Sequence, residues 1–283
     1  MRADHWSLPR RTLRWGRRPL LMGIINVTPD SFSDGGRYFD PGAAVAHGLE
    51  LAAQGADLLD VGGESTRPYA QPVDAQEELR RVVPVVKGLC AQCDTPVSID
   101  TSKSLVAQAA LDAGAEIIND VTGLEGDPGM VSLAVRTGAA VCAMHMCGSP
   151  QTMQDDPTYE DVVEEVFAYL RGRRDALMAA GVPQDRIALD PGIGFGKRTE
   201  HNVQLLSHAV RLHALGCPVL VGHSRKGFIR RVLDEPDADP LPGTIGVALA
   251  LARQGVQVLR VHDVGQVRHA LLLFEACGGF HDS

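Results

Sequence analysis

Polar side chains that could bind a flat heterocycle end three short apolar runs of this 283-residue sequence. Asp100 ends PVSID, Asn119 lies near the end of AEIINDV, and Asp190 ends RIALD. A carboxylate accepts two parallel N–H bonds from an amino-imine edge, as it does from arginine. We therefore predict a ring-binding site, and the alternative for each residue is a buried, hydrogen-bonded support for the fold. For Asp60, which ends ADLLD, that supporting role is the one we expect.

Basic side chains follow two later apolar runs. Lys226 comes shortly after PVLVGH, and Arg260 and His262 end VLRVH. In a chain of formal net charge −8, three such side chains near one edge indicate a bound anion. The alternative is that Arg225 and Arg260 form salt bridges between helices and strands.

A glycine-rich string, DPGIGFGK at 190–197, begins at Asp190. Its three glycines would let the backbone approach a ligand closely, and the alternative is a glycine-rich connection with a helix cap. The spacing fits neither a P-loop nor a dinucleotide fingerprint. The sequence has no Cys₂His₂, His₃ or HExxH spacing, and the lone CxxC of Cys90 and Cys93 has no second pair, so we expect no protein-built zinc site.

The apolar runs themselves predict buried parallel strands. Six follow a glycine that suits the left-handed position after a helix, and the runs at 20–27 and 96–100 bring the number to eight. Eight strands that alternate with helices predict an α/β fold, a (β/α)₈ TIM barrel, whose strand ends form the active-site rim. The residues expected at that rim are Asn26, Asp60, Asp100, Asn119, His145, Asp190, His223 and His262.

Length and composition fit one soluble unit. The chain is 45% hydrophobic and lacks a linker, so residues 1–283 are predicted to form a single domain, with 1–19 as an N-terminal extension or hairpin. The arginines near the start leave a transit peptide as an alternative. The negative charge argues against nucleic-acid binding, and no apolar run is long enough to span a membrane. Six cysteines in a chain of this size favour reduced thiols and a cytoplasmic location.

The motifs together resemble those of the dihydropteroate synthase family, pterin-binding TIM barrels of folate synthesis. They are MGIINVTPDSFSDGG at 22–36, GGESTRP at 62–68, SIDTSK at 98–103, IND at 118–120, MHM-x-G at 144–148, DPGIGFGK at 190–197, SRKG at 224–227 and RVHDV at 260–264. The resemblance covers nearly the whole chain. It implies a transferase that condenses (7,8-dihydropterin-6-yl)methyl diphosphate with 4-aminobenzoate, with Mg²⁺ as cofactor.

The resemblance also implies which residues form each part of the site. Those implied for the pterin are Asp100, Asn119, Met144, Asp190, Lys226 and Arg260. Those implied for the diphosphate are Asn26, Thr66, Arg260 and His262, with Asn26 also a ligand of Mg²⁺. Those implied for 4-aminobenzoate are Thr66, Arg67, Pro68, Phe195 and Lys226. The catalytic residues would be Asp100, Lys226, Arg260 and His262.

The family further implies a homodimer and a target of sulfonamides. Three positions depart from its usual pattern: Tyr69 replaces a glycine, Cys147 a glutamine and Gly227 a serine. Three alternatives remain: a pterin-dependent methyltransferase barrel, a catalytically silent pterin-binding paralogue, and a phosphosugar isomerase barrel. The first would not need the cations at Lys226, Arg260 and His262, and the last leaves the long loops after the first two strands unexplained.

Overall fold

The computed structural model describes residues 2–28, 40–66, 70–149, 152–153 and 155–280. Its strands are β1 (His5–Ser7), β2 (Thr12–Arg14), β3 (Leu20–Asn26), β4 (Leu58–Gly62), β5 (Val97–Asp100), β6 (Ile117–Asp120), β7 (Ala140–Met144), β8 (Ile187–Asp190), β9 (Leu220–Gly222) and β10 (Val258–Val261). Its helices are α1 (Pro41–Ala53), α2 (Ala75–Gln92), α3 (Ser104–Asp112), α4 (Met130–Thr137), α5 (Val162–Ala179), α6 (Thr199–Ser207), α7 (Phe228–Leu233), α8 (Pro240–Arg253) and α9 (Val264–Ala276).

The strands β3 to β10 form one parallel sheet in the order β8-β7-β6-β5-β4-β3-β10-β9. A parallel bridge between Leu189 and Val219 joins its two ends and closes the barrel. The predicted TIM barrel is confirmed, and all eight predicted strands are present. The six glycines expected after helices all have positive φ, from 66° to 116°, as a left-handed helix end requires.

Two helices differ from the sequence-based prediction. The sequence of residues 200–215 favours one continuous helix, but the structure has α6 followed by a 3₁₀ segment, Ala209–Leu215. The acidic, proline-rich stretch 234–242 favours a loop and a helix that begins at Gly243, but α8 begins at Pro240, because the Asp239 side chain accepts the Leu241 N–H and caps the helix. Proline is well tolerated in a first helical turn, where its missing N–H has no partner to lose.

Alternation along the strands decides which side chains reach the site. In β4, Leu58 packs inside the barrel, whereas Leu59 and Val61 pack against the helices. The same two-residue period turns Asp60 inward, one layer nearer the carboxyl ends. The inner layer beneath is apolar and contains Met22, Leu58, Ile117, Ala140, Cys142, Ala188, Leu220 and Val258.

The N-terminal hairpin closes the opposite end of the barrel. Strands β1 and β2 pair antiparallel with Trp6 opposite Leu13, and Trp6 is completely buried against the inner apolar layer. Its indole N–H donates to the carbonyl oxygen of Arg186 over 3.1 Å. The Arg11 guanidinium lies 3.0 Å from the buried carboxylate of Glu116. The hairpin predicted for the first 19 residues is therefore present. In the described part of the chain, no helix is both long and apolar enough to cross a membrane.

Candidate active site

Arg260 is the centre of a charged cluster inside the barrel mouth. Its Nε donates to Asp60 Oδ2 over 2.6 Å, and its Nη2 donates to Asp100 Oδ2 over 2.7 Å. Burial alone would lower the pKa of Arg260, but the carboxylates of Asp60 and Asp100 outweigh it and raise that pKa. Burial raises the pKa of Asp100 to about 7, and Arg260 opposes the rise. The salt bridges predicted as an alternative for Arg260 are present, but they lie inside the barrel and not between helices and strands.

Asn119 joins the same cluster through Asp60. Its side-chain NH₂ donates to Asp60 Oδ2 over 3.1 Å, so one carboxylate oxygen accepts from both Asn119 and Arg260. Asp60 is fully buried, and its other oxygen has no partner in the described residues. The predicted supporting role of Asp60 is thus a support for two predicted site residues. The two-residue period of the strands predicts that Asp60, like Asp100, points into the barrel, but it does not show which side chains Asp60 contacts.

Asp190 lies at the end of β8 with one oxygen already engaged. Its Oδ1 accepts the Gly192 N–H over 2.7 Å. Burial raises the pKa of the Asp190 carboxyl, while the Gly192 N–H and the charge of Lys226 oppose that rise. No described residue donates to its second oxygen. In the register of the sheet, Asp190 lies beside Met144, which is buried at the end of β7.

The glycines of the 190–197 loop make room for a neighbouring backbone. Gly192 has φ +68°, and a Cβ there would overlap the carbonyl oxygen of His145. A Cβ at Gly196 would likewise overlap the backbone of Cys147. In the described residues, these two glycines let the loops after β7 and β8 approach each other closely. The close approach to a ligand stays a prediction.

Lys226 and Phe195 meet at the edge of this loop. The Lys226 Nζ lies 4.0 Å from the centre of the Phe195 ring and donates to the carbonyl oxygen of Ile193 over 2.6 Å. Burial lowers the pKa of Lys226 to about 8, although the carboxylate of Asp190 opposes this. An ammonium against an aromatic face is a favourable pair. The structure thus places Lys226 and Phe195 in direct contact.

His262 follows β10 and is oriented by Ser224. Its Nδ1 lies 3.0 Å from the Ser224 hydroxyl, which also accepts the His262 backbone N–H over 3.2 Å. Burial lowers the pKa of His262 to about 4, and the guanidinium groups of Arg260 and Arg225 lower it further. The ligand-free imidazole is therefore neutral near pH 7. Arg225 pairs with Asp263 over 2.9 Å, which confirms the predicted salt-bridge alternative for that arginine.

A buried lysine links the loops after β7 and β8. Lys197 is 1% exposed, and its Nζ lies 2.9 Å from both His145 Nδ1 and the carbonyl oxygen of Phe195. Burial lowers the pKa of Lys197 to about 7, and Asp190 opposes this. The position of Lys197 in the sequence does not indicate its partner His145, which is 52 residues away.

A second lysine, Lys103, contacts residues at both ends of the loop after β4. Lys103 Nζ lies 2.5 Å from Glu64 Oε2 and 2.6 Å from the fully buried Glu78 Oε2. Glu64 also accepts the backbone N–H of Val73 over 3.0 Å, which ties the two ends of the loop together. This loop carries Thr66. The predicted residues Arg67 and Pro68, and the departure at Tyr69, lie outside the described residues.

The structure thus brings most of the predicted ring-binding residues together. Asp100, Asn119, Asp190, Lys226 and Arg260 all take part in contacts or electrostatic interactions around the mouth. Asn26 ends β3 at the same rim, where it pairs in register with Gly62, and Gly62 in turn pairs with Asp100. Within the described residues, no hydrogen bond links Asn26 or Thr66 to this cluster.

Comparisons with known proteins agree with this geometry. The profile of the family described as "Pterin binding enzyme" matches residues 22–262. The Escherichia coli (strain K12) dihydropteroate synthase is 43% identical over 258 residues, which are 91% of this chain and 91% of that protein. A solved Xanthomonas albilineans dihydropteroate synthase with 4-aminobenzoic acid is 46% identical with a TM-score of 0.90 and covers 98% of both chains. Another, in complex with 7,8-dihydropteroate, is 44% identical with a TM-score of 0.86 and covers 97% of this chain and 98% of its own.

Proposed function

Since the chain belongs to the pterin binding enzymes and, among them, to the dihydropteroate synthase family, we propose that it joins (7,8-dihydropterin-6-yl)methyl diphosphate to 4-aminobenzoate. The products are 7,8-dihydropteroate, diphosphate and a proton. The observation that carries the proposal is the cluster of Asp60, Asp100, Asn119 and Arg260 beside Asp190 and Lys226. It combines acceptors for an amino-imine edge with cations for an anion at one barrel mouth.

The pterin ring occupies the buried part of the mouth in this proposal. Asn119 Oδ1 and the second oxygen of Asp190 accept from the amino-imine edge, and Lys226 donates to the ring. Arg260 stacks on the ring face, and Met144 packs nearby. Asp100 has one oxygen on Arg260, and its other oxygen accepts a ring N–H. Each polar contact has a matching group on the substrate.

The diphosphate lies at the rim, near the ends of β3 and β10. Arg260, His262, Thr66 and Asn26 are its proposed partners. A bound diphosphate favours protonated His262, against the burial that keeps the free imidazole neutral. The Ser224 contact holds the ring so that Nε2 is available for the anion.

The donor set is compatible with Mg²⁺ only if the substrate supplies most ligands. Among the residues that the structure describes, no three His, Cys, Asp or Glu side chains form a metal site. Magnesium commonly takes a few protein oxygens together with substrate phosphates. We propose that the Asn26 side-chain oxygen holds it beside the diphosphate. When bound, it would neutralise part of the diphosphate charge.

The chemistry then proceeds by departure before attack. The bond between the methylene carbon and the diphosphate oxygen breaks, and the oxygen keeps the electron pair. Positive charge develops on the methylene and the pterin, where the carboxylate of Asp100 stabilises it. The amine of 4-aminobenzoate attacks the methylene carbon and releases one proton to solvent. Arg260 and protonated His262 stabilise the charge on the leaving diphosphate.

The second substrate binds on the outer side of the ring. Phe195 and Lys226 form one wall, and their ring-to-ammonium contact supports a site for an aromatic carboxylate. Thr66, Arg67 and Pro68 are its other proposed partners, and the proposed site is also a target of sulfonamides. A homodimer in the cytoplasm completes the proposal for the whole protein.

A diphosphate-release assay with the purified chain tests the function. Diphosphate should appear only when both substrates and Mg²⁺ are present, together with one equivalent of dihydropteroate by mass spectrometry. A chain that binds the pterin but releases no diphosphate would instead be the catalytically silent paralogue. Arg260→Met should abolish release, while Arg253→Met, on the exposed end of α8, should not change it.

A further inference from the structure

Within the described part of the chain, the Asp60 side chain is the one that accepts hydrogen bonds from both the Asn119 and the Arg260 side chains. It lies one layer below the mouth, on β4, and is completely buried. Its Oδ2 lies 2.6 Å from Arg260 Nε and 3.1 Å from Asn119 Nδ2. The two partners come from β10 and β6, on either side of β4. Asp60 therefore fixes two ring-binding side chains from beneath.

The contact also decides which way the Asn119 amide points. Asp60 is paired with a guanidinium, so it offers acceptors and no donor. The amide must then turn its NH₂ toward Asp60, which leaves Oδ1 for the mouth. No described residue donates a hydrogen bond to that oxygen. Asn119 consequently meets a ligand as an acceptor, and the reverse orientation would set two acceptors against each other.

The neighbouring carboxylates of Asp190 and Asp100 also present hydrogen-bond acceptors to the mouth of the barrel. Asp190 uses one oxygen on the Gly192 N–H, and Asp100 uses one oxygen on Arg260. The remaining oxygen of each has no donor among the residues described. With Asn119 Oδ1, these make a row of acceptors that suits a ring edge rich in N–H groups. A ring with a carbonyl at that edge would leave buried acceptors unpaired.

We propose that Asp60 is a positioning residue that sets the preference for a 2-amino over a 2-oxo ring, by holding Asn119 with its oxygen toward the ligand. The proposal rests on the proposed function, since it assumes that the pterin edge meets Asn119. Asp60 itself does not touch the substrate. Its effect passes through the Asn119 amide, which rotates freely to the opposite orientation once its acceptor-only partner is gone.

The test compares two ligands by calorimetry, 6-hydroxymethylpterin and its 2-oxo counterpart. Wild-type protein should prefer the pterin by about thirtyfold or more, because an acceptor edge facing acceptors forfeits hydrogen bonds in a buried site. In Asp60→Ala that preference should fall by about tenfold, as Asn119 turns its NH₂ to the 2-oxo group. A preference that stays unchanged in folded Asp60→Ala would overturn the proposal.

A conservative variant and a matched control separate orientation from general damage. Asp60→Asn keeps an acceptor at the Oδ2 position, so the preference should stay within about threefold of wild type even if affinity falls. Asp120→Ala removes another fully buried strand-end carboxylate, one that caps Thr122 instead, and should leave the preference unchanged. Loss of preference in Asp120→Ala as well would contradict the assignment to Asp60.

Two further outcomes are measured on the wild-type protein alone, and a third needs Asp60→Ala. Equal wild-type affinity for the two ligands would refute the proposal even if Asp60→Ala did not fold. Turnover distinguishes the proposals from each other: wild-type protein that prefers the pterin but makes no dihydropteroate would disprove the proposed function and leave the role of Asp60 standing. Turnover together with a ligand preference that is unchanged in Asp60→Ala would support the proposed function and disprove the role of Asp60.

Discussion

The Nζ atom of Lys197 lies 2.9 Å from Nδ1 of His145, so a buried lysine binds a histidine and not a carboxylate. Burial lowers the pKa of His145 to about 3, and the charge of Lys197 lowers it further. The imidazole is therefore neutral, and Nδ1 accepts a hydrogen bond from the lysine. The pair holds the loop that ends in Lys197 against the end of β7.

Lys197→Met should destabilise the protein, because it leaves His145 Nδ1 and the Phe195 carbonyl without a donor. A cost of about 2–4 kcal/mol in the free energy of unfolding is expected for unpaired buried acceptors. Urea unfolding followed by circular dichroism measures it. Arg198→Met is the control, since its partner Asp156 is exposed and the loss should stay below about 1 kcal/mol. Equal losses would contradict the buried role of Lys197.

Asp190→Asn should weaken pterin binding by about 2–3 kcal/mol. The asparagine oxygen would stay on the Gly192 N–H, so its NH₂ would face the N–H groups of the ring. Calorimetry with 6-hydroxymethylpterin measures the change. Asp185→Asn, in the 3₁₀ segment directly before β8, is the control and should bind the pterin normally. Wild-type affinity in Asp190→Asn would remove Asp190 from the ring site.

His262→Ala should lower turnover by tenfold or more, about 1.4 kcal/mol of transition-state stabilisation, with little change in the affinity for a pterin without diphosphate. The reason is its place beyond Arg260, on the side proposed for the leaving group. Steady-state kinetics and calorimetry check the two halves. His269→Ala, exposed on α9, should change neither. Lost ring affinity with intact turnover would move His262 into the ring pocket.

The stability of the protein should fall as the pH drops from about 6.5 to about 4, in part through His223. Burial lowers the pKa of His223 to about 4 in the folded chain, although its contact with the Thr244 carbonyl opposes this. The unfolded chain takes up a proton near pH 6.5, so it binds more protons across this range. His223→Gln should reduce the slope by about 1.4 kcal/mol per pH unit in urea unfolding. Parallel slopes would show that His223 does not titrate there.

Lys103→Met should cost about 3–5 kcal/mol, because it leaves the buried Glu78 carboxylate unpaired. Lys103→Met combined with Glu78→Gln should recover much of that loss, since the double variant no longer holds an isolated charge. A double-mutant cycle in urea measures the coupling. Additive losses would mean that the two side chains do not depend on each other.

Most of the barrel could be predicted from sequence because its signals are local. A helix-ending glycine and a short apolar run each mark their own position, and the period of two along a strand turns Asp100, Asn119 and Asp190 to one side. The hub at Asp60 could not be predicted with the same ease. Its partners Asn119 and Arg260 lie 59 and 200 residues away in sequence, so only barrel closure shows the contact.

Two lysines illustrate the same limit. Lys103 and Lys197 lie in loop sequences, where a lysine is ordinarily solvent-exposed. Their charge alone does not indicate which groups they contact. Their partners are set by how neighbouring loops pack, which depends on crossings such as that of Gly192 over His145. The start of α8 differs for a simpler reason: the acidic, proline-rich stretch 234–242 indicates a loop, although the cap at Asp239 makes Pro240 the first residue of the helix.

The closing hairpin has a consequence for the order of events on the ribosome. Residues 5–14 precede the barrel strands in the chain, yet Trp6 bonds to Arg186, and Arg11 pairs with Glu116. The hairpin therefore cannot dock until the chain has been translated as far as Arg186, which is more than half of the 283 residues. Until then a tryptophan and several arginines stay in solvent, and their docking reports that β6 and β8 have joined the barrel. In a growing chain the hairpin, although it precedes the barrel strands, thus docks only after strands β6 and β8 are in place.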